Sequence, residues 1–171
     1  MKHFVDLVAA FSRLPIFLSG QTAILLTRLI LGLIFIGTGW GKLSDFPHTV
    51  ENFTNWGFVL PGVNAAMAGL TELIGGILLV AGLGTRIGAA MLAGTMAVAM
   101  LTVHRAQVLA VFHLGTAEAV KNAGDLTDIV PVVYLLFMLW LIGYGGGKLA
   151  FDRLVEIWWA RHCGHPPAKQ A

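Results

Sequence analysis

Glu72 is the residue that most invites a chemical reading. It stands about ten residues into an apolar run, 62–83, that holds no other charge. On a helix that places the carboxyl roughly 15 Å from the nearer end. An ionised carboxylate at that depth costs several kcal/mol unless it is paired or hydrated. Gly69, Gly75 and Gly76 lie at i−3, i+3 and i+4 and share its face, and small residues let a neighbouring helix approach closely. Glu72 is therefore expected to point into a bundle, either ionised against a cation or protonated through desolvation. Arg28, the only charge in the run 22–41, is the expected partner. Along that run Arg28, Gly32, Phe35, Gly39 and Lys42 fall on one narrow stripe, with a cation at each end.

Such a pair supports two readings. It can be a salt bridge that only fixes helix register, or the polar part of a pocket, which an intramembrane ionisable group suggests by default. In a pocket, Arg28 could donate to a carbonyl ligand such as a quinone. Glu72 could move protons as charge develops, and Trp40 could pack on a ring. Trp is also the residue expected at a membrane interface.

Other candidates are weaker. Haem needs paired axial ligands, usually His, and no His lies deep in an apolar run. His104 and His113 are nine residues apart, on opposite sides of a helix. Cys163 is the only cysteine, so a thiol relay would need an outside partner. His162-Cys163-Gly164-His165 and the i, i+3 pair His48 and Glu51 are too sparse to hold a metal alone. The glycine runs 37–42 and 145–148 end in Lys but are followed by Leu43 and Leu149. The phosphate-binding loop needs Ser or Thr there, after a strand. Neither nucleotide binding nor a resident flavin or NAD is expected.

The composition identifies the elements that must position these groups. The 171 residues are 57% hydrophobic and 12% charged, with mean hydropathy +0.78 and 21 glycines. Soluble domains carry about 25% charged residues, so a soluble globule is excluded. Disorder is excluded by the hydrophobicity, and a disulfide scaffold by the single cysteine. A net charge of +2 gives no sign of nucleic acid.

Four runs, 22–41, 62–83, 87–103 and 129–146, approach the ~20 apolar residues needed to cross a bilayer as helix. They lack the alternation of barrel strands. The expected fold is thus all-α: an integral membrane four-helix bundle over 22–147. An amphipathic interfacial helix precedes it, 1–21, retained rather than cleaved. A second amphipathic helix with a polar tail follows, 148–171. In that last segment Phe151, Leu154, Val155, Trp158 and Trp159 recur on one face, opposite Asp152, Arg153 and Glu156, as interfacial helices require.

Lys2, Arg13, Arg86, Lys148, Arg153, Arg161 and Lys169 fall on one side of such a bundle. Lys42, Arg105 and Lys121 fall on the other. The excess of positive charge places both termini in the cytoplasm. Of the two outer connections, 43–61 holds a helix start at Ser44-Asp45-Phe46-Pro47. There Phe46, Val50 and Phe53 could line one face. The second, 104–128, is long for a bare loop.

The order and spacing of several motifs resemble the DoxX family. They are Arg28-x3-Gly32, Gly39-x2-Lys42, Pro61-Gly62, Glu72-x2-Gly75-Gly76 with Gly82 and Arg86, and Gly145-Gly146-Gly147-Lys148-x3-Asp152. The resemblance covers about 22–154. It implies a small four-helix protein of the bacterial inner membrane, in a family named after a subunit of a thiosulfate:quinone oxidoreductase and tied in part to oxidative or thiol stress. By the same resemblance Arg28, Lys42 and Glu72 are the family-pattern polar positions, and Asp128 stands where relatives place an acid before the last span. The function so implied is a membrane subunit of an oxidoreductase, electron-transfer or stress-response system; no resident cofactor is expected, and a quinone or another small lipophilic molecule is the ligand that Arg28, Glu72, Lys42 and Trp40 would take. Its partners would be the lipid bilayer and a second protein or another copy of the chain. The alternatives are a non-enzymatic scaffold that recruits a partner and, third, a small-solute transporter.

Overall fold

The computed structural model describes residues 20–105, 108 and 129–163, and every regular element among them is helical. The expected N-terminal amphipathic helix, the polar tail beyond 163, most of the second outer connection, His113 and Asp128 lie outside the described residues.

Two helices have the length and apolarity of membrane spans, α1 (Gly20–Ser44) and α3 (Pro61–Ala81). At 1.5 Å per residue they are about 37 and 31 Å long, enough for a hydrocarbon core of about 30 Å. Between them lies α2 (Phe46–Asn55), the short helix whose start the Asp45-Phe46-Pro47 segment marks. Its buried face is Thr49 and Phe53, so of the expected face Phe53 alone is fully covered.

The third and fourth apolar runs form α4 (Thr85–Leu101) and α5 (Val130–Tyr144), of 17 and 15 residues. Both are shorter than a full crossing. Turn geometry cuts the apolar runs: α4 unwinds at Thr102–His104, and α5 stops at Gly145, with φ +73°. Then α6 (Phe151–Cys163) follows, with Phe151, Val155, Trp158 and Trp159 exposed.

α1 packs most extensively along α3, α3 also packs on α4 and α2, and α4 packs along α5. Glycines set the α1–α3 contact. A Cβ on Gly32 would come within 2.9 Å of the Gly76 carbonyl oxygen, and one on Gly39 within 2.8 Å of the Gly69 carbonyl oxygen. Lipid offers no hydrophobic drive between helices, so close backbone approach of this kind supplies the van der Waals contact that holds them together. The contacts fix an antiparallel register in which Gly32 opposes Gly76–Val80 and Gly39 opposes Gly69–Leu73. Around this seam Ile24, Leu31, Phe35, Leu79, Leu92, Met96, Met138 and Leu141 form the apolar core. Large apolar side chains such as Ile30, Leu33, Leu70, Ile74 and Ile77 point outward, as they should on helices that face lipid.

Candidate functional site

The register separates the two charges that the sequence paired. Glu72 forms its ion pair with Lys42, whose ammonium meets Oε2. Arg28 bonds elsewhere. Two facts of helix geometry account for this. In the observed register Glu72 lies level with about Thr38, some ten residues or 15 Å along the axis from Arg28. Helical side chains also lean toward their own N-terminus. Lys42 leans back toward the Glu72 level, and Glu72 on the opposed helix leans toward Lys42. Arg28 leans the other way.

Glu72 is buried, at 5% exposure, on the face it shares with Ala65, Gly69, Gly75 and Gly76. The Lys42 side chain keeps 29% of its surface exposed. The end of α1 that carries Lys42 is fixed from outside: Thr49 of α2 donates its hydroxyl to the Lys42 carbonyl at 3.0 Å and to the Asp45 carbonyl at 2.9 Å.

This pair lies in the wall of a cavity of about 480 Å³. One side is α3, through Met67, Ala68 and Thr71. The other is α4, through Met91, Gly94, Thr95 and Val98. The end is closed by Phe53, Trp56 and Phe58 from α2 and the turn after it. Phe53 packs on Trp56 and Phe58 with ring centroids 5.2 and 4.9 Å apart, and Gly57 supplies the positive φ that reverses the chain between them. The lining is mainly apolar, with a single charged pair, the Asn64 amide, the His104 imidazole and a few hydroxyls. Ligand sites have this composition, in volumes of about 300–1,000 Å³.

At the other end of α1, Arg28 is 1% exposed and is spent on backbone. Its Nε donates to the Leu79 carbonyl at 3.0 Å, Nη1 to the Gly146 carbonyl at 2.5 Å and Nη2 to the Val80 carbonyl at 3.5 Å. Two of these are among the last carbonyls of α3, where intrahelical donors run out; that of Leu79 also accepts the Gly82 amide at 3.2 Å. Gly82 has φ +68°, and a Cβ there would collide with the guanidinium. Asp152, on α6, lies within the attractive field of Arg28. Its carboxylate accepts the amides of Gly84 at 2.6 Å and Thr85 at 3.1 Å, capping α4 from a distant part of the chain. Gln21 Oε1 accepts the Lys148 amide at 2.6 Å. The Thr85 hydroxyl is buried and, among the described residues, unpartnered.

Of the sequence candidates, Glu72 and Lys42 therefore meet at a cavity, while Arg28 belongs to a separate knot. Trp40 is 64% exposed and does not line the cavity. His48 and Glu51 approach to 3.8 Å on the surface, and no three potential metal ligands cluster among the described residues. Sequence reasoning missed the cavity, the aromatic closure by α2 and the capping role of Asp152. The recurrence of Asn64, Met67, Ala68 and Thr71 at i, i+3, i+4 and i+7 was the available signal for one wall.

Comparison with known proteins places these features in a family. The DoxX family model matches residues 23–105. The chain is 28% identical over 141 residues to the inner membrane protein YqjF of Escherichia coli, covering 81% of this chain and 96% of that protein. It is 30% identical to an uncharacterized protein of Haemophilus influenzae, covering 73% of this chain and 84% of that one. With the protein named Putative oxidoreductase CatD of Bacillus subtilis it shares 38% identity over 85 residues, 50% of this chain and 62% of that protein. No solved structure matches. The chain is a membrane protein and belongs to the DoxX family.

Proposed function

We propose that the chain is a four-span inner-membrane subunit of an oxidoreductase or stress-response electron-transfer system, and that it binds quinone in the Lys42–Glu72 cavity. The observation that carries this reading is a buried ion pair set in the wall of an apolar cavity of ligand size. Both termini are assigned to the cytoplasm by the charge bias. The Arg28 knot then lies on the cytoplasmic side and the cavity in the outer half. The name of the Bacillus subtilis relative adds a hint of redox work.

The residues fit the ligand. A quinone ring is flat, uncharged and apolar, with two carbonyl oxygens as acceptors. The Lys42 ammonium has three donors, of which Glu72 occupies one, so Lys42 Nζ can donate to a ring carbonyl. Reduction of a quinone takes up two electrons and two protons. The electrons would come from a partner subunit that holds the redox centre, and the two protons would come from water at the partly exposed Lys42 end, passed one after the other through the Glu72 carboxylate, which is reprotonated between them. The protein's share is to exclude water, orient the ring and place that proton.

Glu72→Gln tests the reading, because it keeps the shape and removes the proton site. Quinone-linked turnover in membranes carrying the native complex should fall far more than the yield of folded protein. Equal losses would make Glu72 structural. A second reading, a scaffold without redox work, is favoured by the exposed aromatic face of α6. Partner capture without bound quinone would support it.

A further inference from the structure

We infer that the Lys42–Glu72 cavity is a lateral cleft filled from the lipid phase, and that Gly94 is the residue whose lack of a side chain keeps it open. The inference rests on the quinone reading and extends it to the route of entry and the part of the ligand that is recognised.

α3 and α4 are in tightest contact near the turn that joins them. There a Cβ on Gly75 would come within 2.7 Å of Leu92, and one on Gly88 within 3.0 Å of Leu78. Toward their other ends the two helices face each other across the cavity instead. A lining that belonged to an interior chamber would be buried throughout. Here Met67 is 62% exposed, and Gly94 and Val98 are exposed as well. These residues sit on the walls and also on the outward surface of the helices, so among the described residues the cleft opens sideways. Its buried wall carries the Glu72 carboxylate that holds Lys42, and its exposed lining, Met67, Gly94 and Val98 with Trp56 and Thr102, is mainly apolar. An amphiphile dissolved in the bilayer matches that gradient, with an acceptor head inward and an apolar chain across the mouth. An inorganic anion does not match, since the Lys42 charge is already neutralised by Glu72.

Gly94 is the point of control. A Cβ built on it meets nothing within 4 Å, so the position is not kept small by helix packing, as Gly32, Gly39 and Gly76 are. Its smallness leaves volume in the cleft. Gly37 has equally open surroundings on α1 but does not line the cavity, which makes it the matched control.

Two measurements on the full chain in lipid nanodiscs test the inference. First, decylubiquinone is titrated against wild type, Gly94→Phe and Gly37→Phe. Gly94→Phe should weaken binding about tenfold or more, the loss of about 1.4 kcal/mol of ligand contact, and Gly37→Phe should not. If wild type binds and Gly94→Phe binds equally well, the cleft assignment fails while the quinone reading stands. Second, a spin label is placed at Gly94→Cys in a Cys163→Ser background. Its relaxation should respond to oxygen, which concentrates in lipid, and not to water-soluble nickel chelate. Access to the nickel chelate would show a water-filled pocket and overturn lipid-side entry. Oxygen-only access without any decylubiquinone binding would retain the lateral cleft and remove quinone as its occupant.

Discussion

The two polar centres of this protein are built from similar materials and used in opposite ways. Each has a basic residue of α1 facing α3 across a glycine seam. At the Arg28 end the guanidinium is divided among three carbonyls, and Asp152 satisfies two amides of the next helix. Each of the three guanidinium nitrogens bonds to backbone. At the Lys42 end the ammonium meets one carboxylate oxygen, in the wall of a cavity. The planar five-donor guanidinium suits the first task, and a flexible ammonium with spare donors suits the second. Buried charge alone therefore does not mark a working site. What separates the two is the partner and the setting: Arg28 bonds backbone carbonyls in packed surroundings, and Lys42 meets a carboxylate in the wall of a cavity.

The largest effect that would test this contrast is at Arg28. Arg28→Ala withdraws a charged donor from three carbonyls, of which, among the described residues, only that of Leu79 keeps a second donor, the Gly82 amide, and should cost about 3–5 kcal/mol, read as a collapse of the thermal unfolding midpoint in detergent. Arg28→Lys should rescue little, because the single nitrogen of an ammonium cannot reach the carbonyls that three separate guanidinium nitrogens span. Asp152→Ala comes next. It removes the cap of α4 and should lower stability by about 1–2 kcal/mol, with hydrogen exchange quickening at the Gly84 and Thr85 amides. Glu72→Gln should cost under about 1 kcal/mol, since an amide oxygen can still accept from Lys42. Were it to unfold the protein as Arg28→Ala does, the distinction between the two ends would be lost. The smallest effect has the opposite sign: Thr85→Val keeps the volume, removes a buried hydroxyl without a partner and should stabilise by about 1 kcal/mol. A loss of stability there would mean that the hydroxyl is satisfied.

The fold and the site were legible in the sequence to different degrees. Runs of apolar residues, Pro47 and Pro61 at helix starts, and Gly82 at a helix end are local signals, and each governs the segment that contains it. Glu72 was legible as inward-facing because its own neighbours at i±3 and i+4 are glycines. Its partner was not legible, because partner choice depends on the offset between two helices and on the lean of side chains along each. Depth alone favoured Arg28. Offset and lean together select Lys42. The cavity was hidden for a similar reason. It arises where two helices held together at Gly75 and Gly88 part at their other ends, and no single stretch of chain encodes that space. The lengths of α4 and α5 also escaped hydropathy, which does not see where turn geometry ends a helix inside an apolar run.

The placement of Asp152 has a consequence for biosynthesis. The first amides of α4 wait for an acceptor that is translated 67 residues after Thr85, and the Gly146 carbonyl that completes the Arg28 cluster also comes late. A nascent chain halted before α6 would carry its arginine partly unmatched and one helix start bare. Such a chain would expose unmatched polar groups to membrane proteases until α6 docks, so the Asp152 contact ties the finishing of the α4 start to a much later stage of synthesis.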